Sequence, residues 1–110
     1  MKICVIHHSG DLSDGPQYQK IYAYHNAGAG GKWPPGLGCM YHFVVERSGA
    51  VVQGSPEGIS TYHSGNAEVN QNSIAICLAG DFTKEEPTPQ QIEGFKLLIN
   101  NLRSRYGELQ

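Results

Sequence analysis

The chain has no apolar stretch approaching the roughly 20 residues that span a bilayer, so membrane insertion is not expected. It also has no basic excess. Eight Lys and Arg stand against 10 Asp and Glu, giving a formal net charge of -2 and a pI near 6.2. A surface with that balance has no electrostatic footprint for a phosphate backbone, and no nucleic-acid partner is expected. Cysteine is scarce and odd in number: Cys4, Cys39 and Cys77. Three widely spaced thiols are not a disulfide framework, which leaves reduced thiols or a single metal-bound thiolate. No Gly-x-Ser-x-Gly elbow, P-loop or dinucleotide fingerprint occurs, and the glycine-rich run at 28–38 lacks the Lys-Ser/Thr ending that phosphate binding needs. The opening run Ile3-Cys4-Val5-Ile6 has no small-residue cleavage site and leads directly into His7-His8. It reads as a first strand, with no signal peptide.

What the chain does have is glycine. Fourteen in 110 residues is nearly twice the usual share of roughly 7%, without a collagen-like period. With 39% hydrophobic residues, this describes one loop-rich globular domain with enough apolar material for a core. Ile3 to His8 is β-branched and nearly all apolar, as in a strand buried on both faces. Asp14-Gly15-Pro16-Gln17 predicts a helix start capped by Asp14, with the helix running to about Asn26 and presenting Ile21, Tyr22 and His25. Ala27 to Gly38 is an irregular loop around Trp33-Pro34-Pro35. Tyr41 to Glu46 and Ala50 to Gln53 flank a Ser48-Gly49 hairpin signal, and 59–80 holds one loop and the strand Ser73 to Leu78.

The last helix has the clearest pattern. Thr88 is its N-cap, Pro89 its first position, and Gln91 completes a capping box; Ile92, Phe95, Leu98, Ile99 and Leu102 form one apolar stripe that Gly107 ends. The order β-α-β-β-β-α predicts an α/β fold: a mixed central β-sheet flanked by helices.

Histidine is the usual acid/base near neutrality and the commonest metal ligand. The five here are His7, His8, His25, His42 and His63, and all but His25 fall near predicted strand ends. Strand alternation sends His7 and His8 to opposite faces, so they are not a ready-made bidentate pair. The same alternation places Tyr41 and Phe43 on one face and His42 on the other. A phenol such as Tyr41 can donate to a developing oxyanion. Cys77, within Ile74-Ala75-Ile76-Cys77-Leu78, reads as a small core hydrophobe. A metal site drawn from His7, His63 or Cys77 has no motif spacing behind it.

Several segments, in order, resemble one family. Val5-Ile6-His7-His8-Ser9 is similar to the first strand of the type-2 N-acetylmuramoyl-L-alanine amidases and the related peptidoglycan recognition proteins. Leu37-Gly38-Cys39-Met40-Tyr41-His42-Phe43-Val44-Val45 resembles their glycine-tyrosine-histidine-phenylalanine strand, with Met40 where a glycine is usual. His63, Gly65, Asn70 and Ser73 to Phe82 resemble the family's histidine loop and following strand, and Pro87-Thr88-Pro89-Gln90-Gln91 its last helix start.

The resemblance implies zinc-dependent hydrolysis of the amide joining the muramic acid lactyl group to L-alanine, with peptidoglycan or a muropeptide as partner. By position, His7 matches a zinc ligand and Tyr41 the catalytic tyrosine. His63, Asn70 and Trp33 fall to the substrate groove, and His8, facing away, to a structural role. The family's remaining two zinc ligands follow the last helix, whereas these 110 residues hold no His after His63 and no Cys after Cys77. The expectation is therefore a single amidase-like domain over 1–110, C-terminally incomplete, with Zn2+ as cofactor and its site only partly present. Two outcomes stay open, a hydrolase and a module that binds muropeptide without cleaving it. A homodimer covering an open sheet edge or helix face is a further expectation. So is a cytoplasmic or phage-lysin-like protein acting on the cell wall.

Overall fold

The computed structural model describes residues 2–108; positions 1, 109 and 110, at the ends of the expected domain span, lie outside the described residues. Strand β1 is Ile3–His8, helix α1 Tyr18–Asn26, β2 Phe43–Val45, β3 Val51–Gln53, helix α2 Ala67–Asn72, β4 Ser73–Leu78 and helix α3 Pro89–Tyr106. The sheet order is β1-β4-β2-β3. β1, β4 and β2 run parallel, and β3 returns antiparallel to β2. The mixed α/β sheet expected from the sequence is therefore what forms, with one helix more than the pattern predicted. Helix α2 lies where only a loop was expected. It is short, and its start is fixed by Asn66, whose side chain accepts the backbone N–H groups of Glu68 and Val69.

One face of the sheet carries the core. Phe43, Val45, Ile74 and Ile76 pack against Leu98 and Leu102 of α3, with Cys4, Leu78, Phe95, Ile99 and Tyr106 at the margin. The predicted stripe is rotated slightly. Ile92 is 42% exposed, while Gln91 and Gly94 are buried. Gly94 has a steric reason to be glycine. A Cβ there would stand 2.3 Å from the Gly49 carbonyl oxygen, so the helix can lie on the hairpin turn only without a side chain.

Three local expectations are corrected. Asp14 does not cap α1; its N-cap is Gln17, which makes no capping side-chain bond. Instead the buried Glu46 carboxylate, beyond the end of β2, accepts the N–H groups of Gln17 and Tyr18 at 2.9–3.0 Å. An anion from a distant strand thus satisfies the helix N-terminus. Thr88 does cap α3, accepting Gln91 N–H at 3.0 Å, but Gln91 closes no capping box. Its amide nitrogen donates to the carbonyls of Val45 and Ala79, both at 2.9 Å, tying α3 to β2 and to the end of β4. Finally, β2 begins only at Phe43, so alternation does not govern Tyr41. Phe43 enters the core, while Tyr41 and His42 both turn to the opposite face, where their rings meet His7 and His63.

Candidate active-site groove

Register builds the site. His7, Cys77 and Val44 are direct partners across β1, β4 and β2, so they share the face opposite α3, one row from Ala75. Cys77 and Ala75 are fully buried and small, which leaves room above them for rings. The His7 ring lies 5.3 Å from Tyr41 and 5.2 Å from His63, edge-on to the latter. Tyr41 lies 5.0 Å from His25 of α1, and His25 lies 5.4 Å from Trp33. Trp33 and Tyr62 are nearly parallel, with centroids 6.1 Å apart.

These side chains border a cavity of about 680 Å³, lined by His25, Trp33, Tyr41, Tyr62, His63 and Asn70 among others. That volume suits a small organic ligand. His7 adjoins the lining through its contacts to Tyr41 and His63. Of the sequence-predicted site residues, Trp33, Tyr41, His63 and Asn70 all line this one cavity, and His7 adjoins it.

Several wall residues are tied to backbone groups. Trp33 Nε1 donates to the His25 carbonyl at 2.8 Å, and Met40 N–H donates to His25 Nδ1 at 2.8 Å. Gly28 permits the tight loop between them. Its φ is +93°, and a Cβ would stand 2.6 Å from the Trp33 carbonyl oxygen. Asn70 is buried and accepts both the N–H and the hydroxyl of Ser64 with its amide oxygen, at 3.0 and 2.7 Å. It therefore shapes the loop that carries His63. Met40 is buried in the wall, where its sulfur accepts Tyr62 N–H at 3.3 Å. His42 does not reach the cavity lining. Fully buried, it accepts Ala75 N–H and donates to the Ile59 carbonyl, pinning the 59–63 segment to the sheet.

Burial favours the neutral form of three imidazoles beside the groove. Burial, then the nearby charges of Lys32 and His7, lowers His25 to about 4. Burial, then His7 and His42, lowers His63 to about 4. His7 is lowered by burial and by His8. Burial, with the Cys77 and Cys39 thiols behind it, raises Tyr41 well above the usual phenol. Tyr41 therefore stays protonated near neutral pH and acts as a hydrogen-bond donor, not as a base. Cys77 is pushed up to about 12 by burial. It remains a thiol, as its reading as a core residue requires.

The family profile described as N-acetylmuramoyl-L-alanine amidase, Amidase_2, matches residues 1–110. The chain belongs to the Amidase_2 family. Its fold is similar to that of the N-acetylmuramoyl-L-alanine amidase LysC from Clostridium intestinale URNW, at 30% identity and a TM-score of 0.80, covering 98% of this chain and 67% of LysC. It is also similar to the Ph2119 endolysin from Thermus scotoductus MAT2119 bacteriophage Ph2119, at 25% identity and a TM-score of 0.78, covering 98% and 68%. Drosophila peptidoglycan recognition protein SD shares the fold at 16% identity and a TM-score of 0.79, covering 94% and 61%. The chain thus spans about two thirds of the length of the amidases it resembles. No curated protein matches it.

The family resemblance implies zinc, and the residues can be tested for it. A catalytic zinc takes three protein ligands and keeps a fourth position open. Among the described residues, no group of three or more His, Cys, Asp or Glu side chains is placed to hold a metal. His7 and His63 are the nearest approach, but His7 Nε2 and His63 Nδ1 face each other in a 3.0 Å hydrogen bond, not a common ion. Cys77 shares the row with His7 but is a buried thiol. The described residues of this Amidase_2 chain do not build a zinc centre by themselves.

Two wall residues escaped the sequence reading. His25 was placed on its helix but given no role; its i, i+4 spacing from Ile21, ahead of the Trp33 loop, was the available signal. Tyr62 had none, because nothing local marks an exposed tyrosine as the partner of a tryptophan 29 positions earlier.

Proposed function

We propose that the chain carries the stem-peptide groove and the reacting edge of an N-acetylmuramoyl-L-alanine amidase, which hydrolyses the amide between the muramic acid lactyl group and L-alanine. The observation that carries this reading is the single cavity lined by Trp33, Tyr62, His63 and Asn70, with Tyr41 in its wall and His7 against Tyr41 and His63. A peptide lying against the paired Trp33 and Tyr62 rings has aromatic surface to pack on and few charges to desolvate. Tyr41, held protonated, is the donor for the carbonyl oxygen as it gains charge, a role that removal typically costs about 3 kcal/mol. Burial favours the neutral form of His7, His25 and His63, so the rings beside the groove do not repel a cationic stem residue. Zn2+ would supply water activation and carbonyl polarisation in the family's chemistry.

Mass spectrometry of a muropeptide digest tests hydrolysis directly. The expected products are a lactyl-bearing sugar and a peptide with a new L-alanine amino terminus. An intact muropeptide after incubation with zinc and active-site titres of protein would overturn the hydrolytic reading.

A second reading is a module that binds muropeptide and does not cleave it. The groove lined by Trp33, Tyr62 and Asn70 can hold a peptide by packing and hydrogen bonding alone, which this reading requires. Saturable binding without cleavage, in metal-replete protein, would select it over the first. Peptidoglycan is the partner in both readings, and a phage-lysin-like action on the cell wall belongs to the first. Among the described residues no helix is long and apolar enough to cross a membrane. A homodimer would use the outer edge of β1, which has β4 on its other side, and where Ile6 is 45% exposed. Light scattering of the purified chain tests that arrangement.

A further inference from the structure

A chain of three hydrogen bonds runs from helix α2 to His7, and its direction is fixed at one end. Ser73 Oγ lies 2.6 Å from the Val69 carbonyl. A carbonyl cannot donate, so the serine proton points there. His63 Nε2 lies 2.8 Å from the same Oγ. With the hydroxyl proton already committed, the oxygen can only accept, so His63 Nε2 carries the hydrogen. A neutral imidazole has one N–H, which leaves His63 Nδ1 as a lone pair. That lone pair faces His7 Nε2 at 3.0 Å, so His7 Nε2 is the donor. His7 Nδ1 is left as its free lone pair, and no hydrogen bond engages it among the described residues.

We infer that Ser73 and His63 are positioning residues that lock His7 in the Nε2–H tautomer and present its Nδ1 to the reacting group. The burial of the chain supports the lock. Ser73 is 3% exposed at the start of β4, so bulk water does not compete for its hydroxyl. Its acceptor, Val69, sits in α2, the short helix capped by Asn66, so α2 helps to set the proton position two rings away. This gives His63 a second task besides lining the groove. It acts on His7 as the hydrogen-bond partner of a working histidine usually does, fixing ring orientation and tautomer. The assignment of His7 to the reacting edge rests on the proposed amidase reading. The tautomer itself does not.

Long-range proton–nitrogen correlation of the 15N-labelled chain, metal-free at pH 7 and without ligand, reads each imidazole nitrogen directly. The expected result is a protonated Nε2 and a bare Nδ1 in both His7 and His63. In Ser73→Ala the fixed end is lost, and the minority tautomer of His7 should gain roughly fivefold in population. His63→Gln offers His7 an amide oxygen and should retain the Nε2–H form, whereas His63→Ala should not. A bare Nε2 on His7 in the unsubstituted chain would overturn the inference. So would a His7 tautomer indifferent to both Ser73→Ala and His63→Ala in variants whose circular dichroism shows the native fold. If Ser73→Ala does not fold, the unsubstituted spectrum and the His63 pair still decide. Muropeptide cleavage is a separate readout: its failure touches the amidase reading and leaves the tautomer result standing.

Discussion

Toward α3 the sheet presents Phe43, Val45, Ile74 and Ile76, large side chains that close on Leu98 and Leu102. On the other face the same strands carry Val44, Ala75 and Cys77 in the middle, with the His7 ring at the edge. The first face is filled by apolar contact and has no groove. The second is floored by small side chains, so rings from α1 and from the 33, 41 and 62–63 loops stand above it around a cavity. Stability is concentrated on one side of the β-sheet and chemistry on the other, and the strand alternation that separates them is a period of two residues.

This division can be broken from either side. The largest expected effect is on the packed face. Leu102→Ala removes a fully buried side chain and should cost about 2–5 kcal/mol of folding stability, measured by chemical denaturation. Below its unfolding range, muropeptide affinity should not change. A matching loss of affinity would show that the two faces are not separable. Next, Tyr41→Phe deletes one hydroxyl on the groove side. It should lower muropeptide turnover by about 100-fold or more while leaving the denaturation midpoint nearly unmoved. A stability loss with full turnover would assign Tyr41 to the frame instead.

The groove face should also be the acid-sensitive one. His25 and His63 have folded-state values near 4, below their ordinary 6.5, so the unfolded chain binds protons that the folded chain refuses. Above pH 6.5 neither state is protonated at these rings and they contribute nothing. As pH falls from 6.5 toward 4, stability should decline. The loss is on the order of 3 kcal/mol from buried His25, with a smaller, solvent-screened share from His63. Denaturation midpoints across that window check it, and His25→Gln should flatten the slope. The smallest effect is expected at α2. Asn66→Ala removes its cap and should cost about 1 kcal/mol, with local loss of amide-exchange protection over 67–72.

The sheet was legible because its strands are long in pattern or bounded by turns: Ile3–His8 and Ser73–Leu78 stand exactly where their β-branched runs predict. Helix α3 was legible through Thr88, Pro89 and Gly107, all local signals. What stayed hidden depends on distant partners. Glu46 caps a helix 28 positions away, and Gln91 spends its amide on β2 and β4, not on its own N-terminus. Helix α2 spans only six residues, too few to show a helical period. Tyr41 was picked out as a residue but assigned by alternation to the wrong face, because β2 starts two positions later than its apolar pattern suggests. The groove as a set, with His25 and Tyr62, emerges only when α1 and three loops meet over Cys77.

If the groove is a peptide site, a muropeptide stem binds it against Trp33 and Tyr62. Calorimetric titration of the chain with a muramyl pentapeptide tests it most directly. The prediction is a saturable heat with one site per chain, weakened at least about tenfold by Trp33→Ala in protein that keeps its native circular dichroism. No saturable heat at millimolar ligand, or binding indifferent to Trp33, would contradict it.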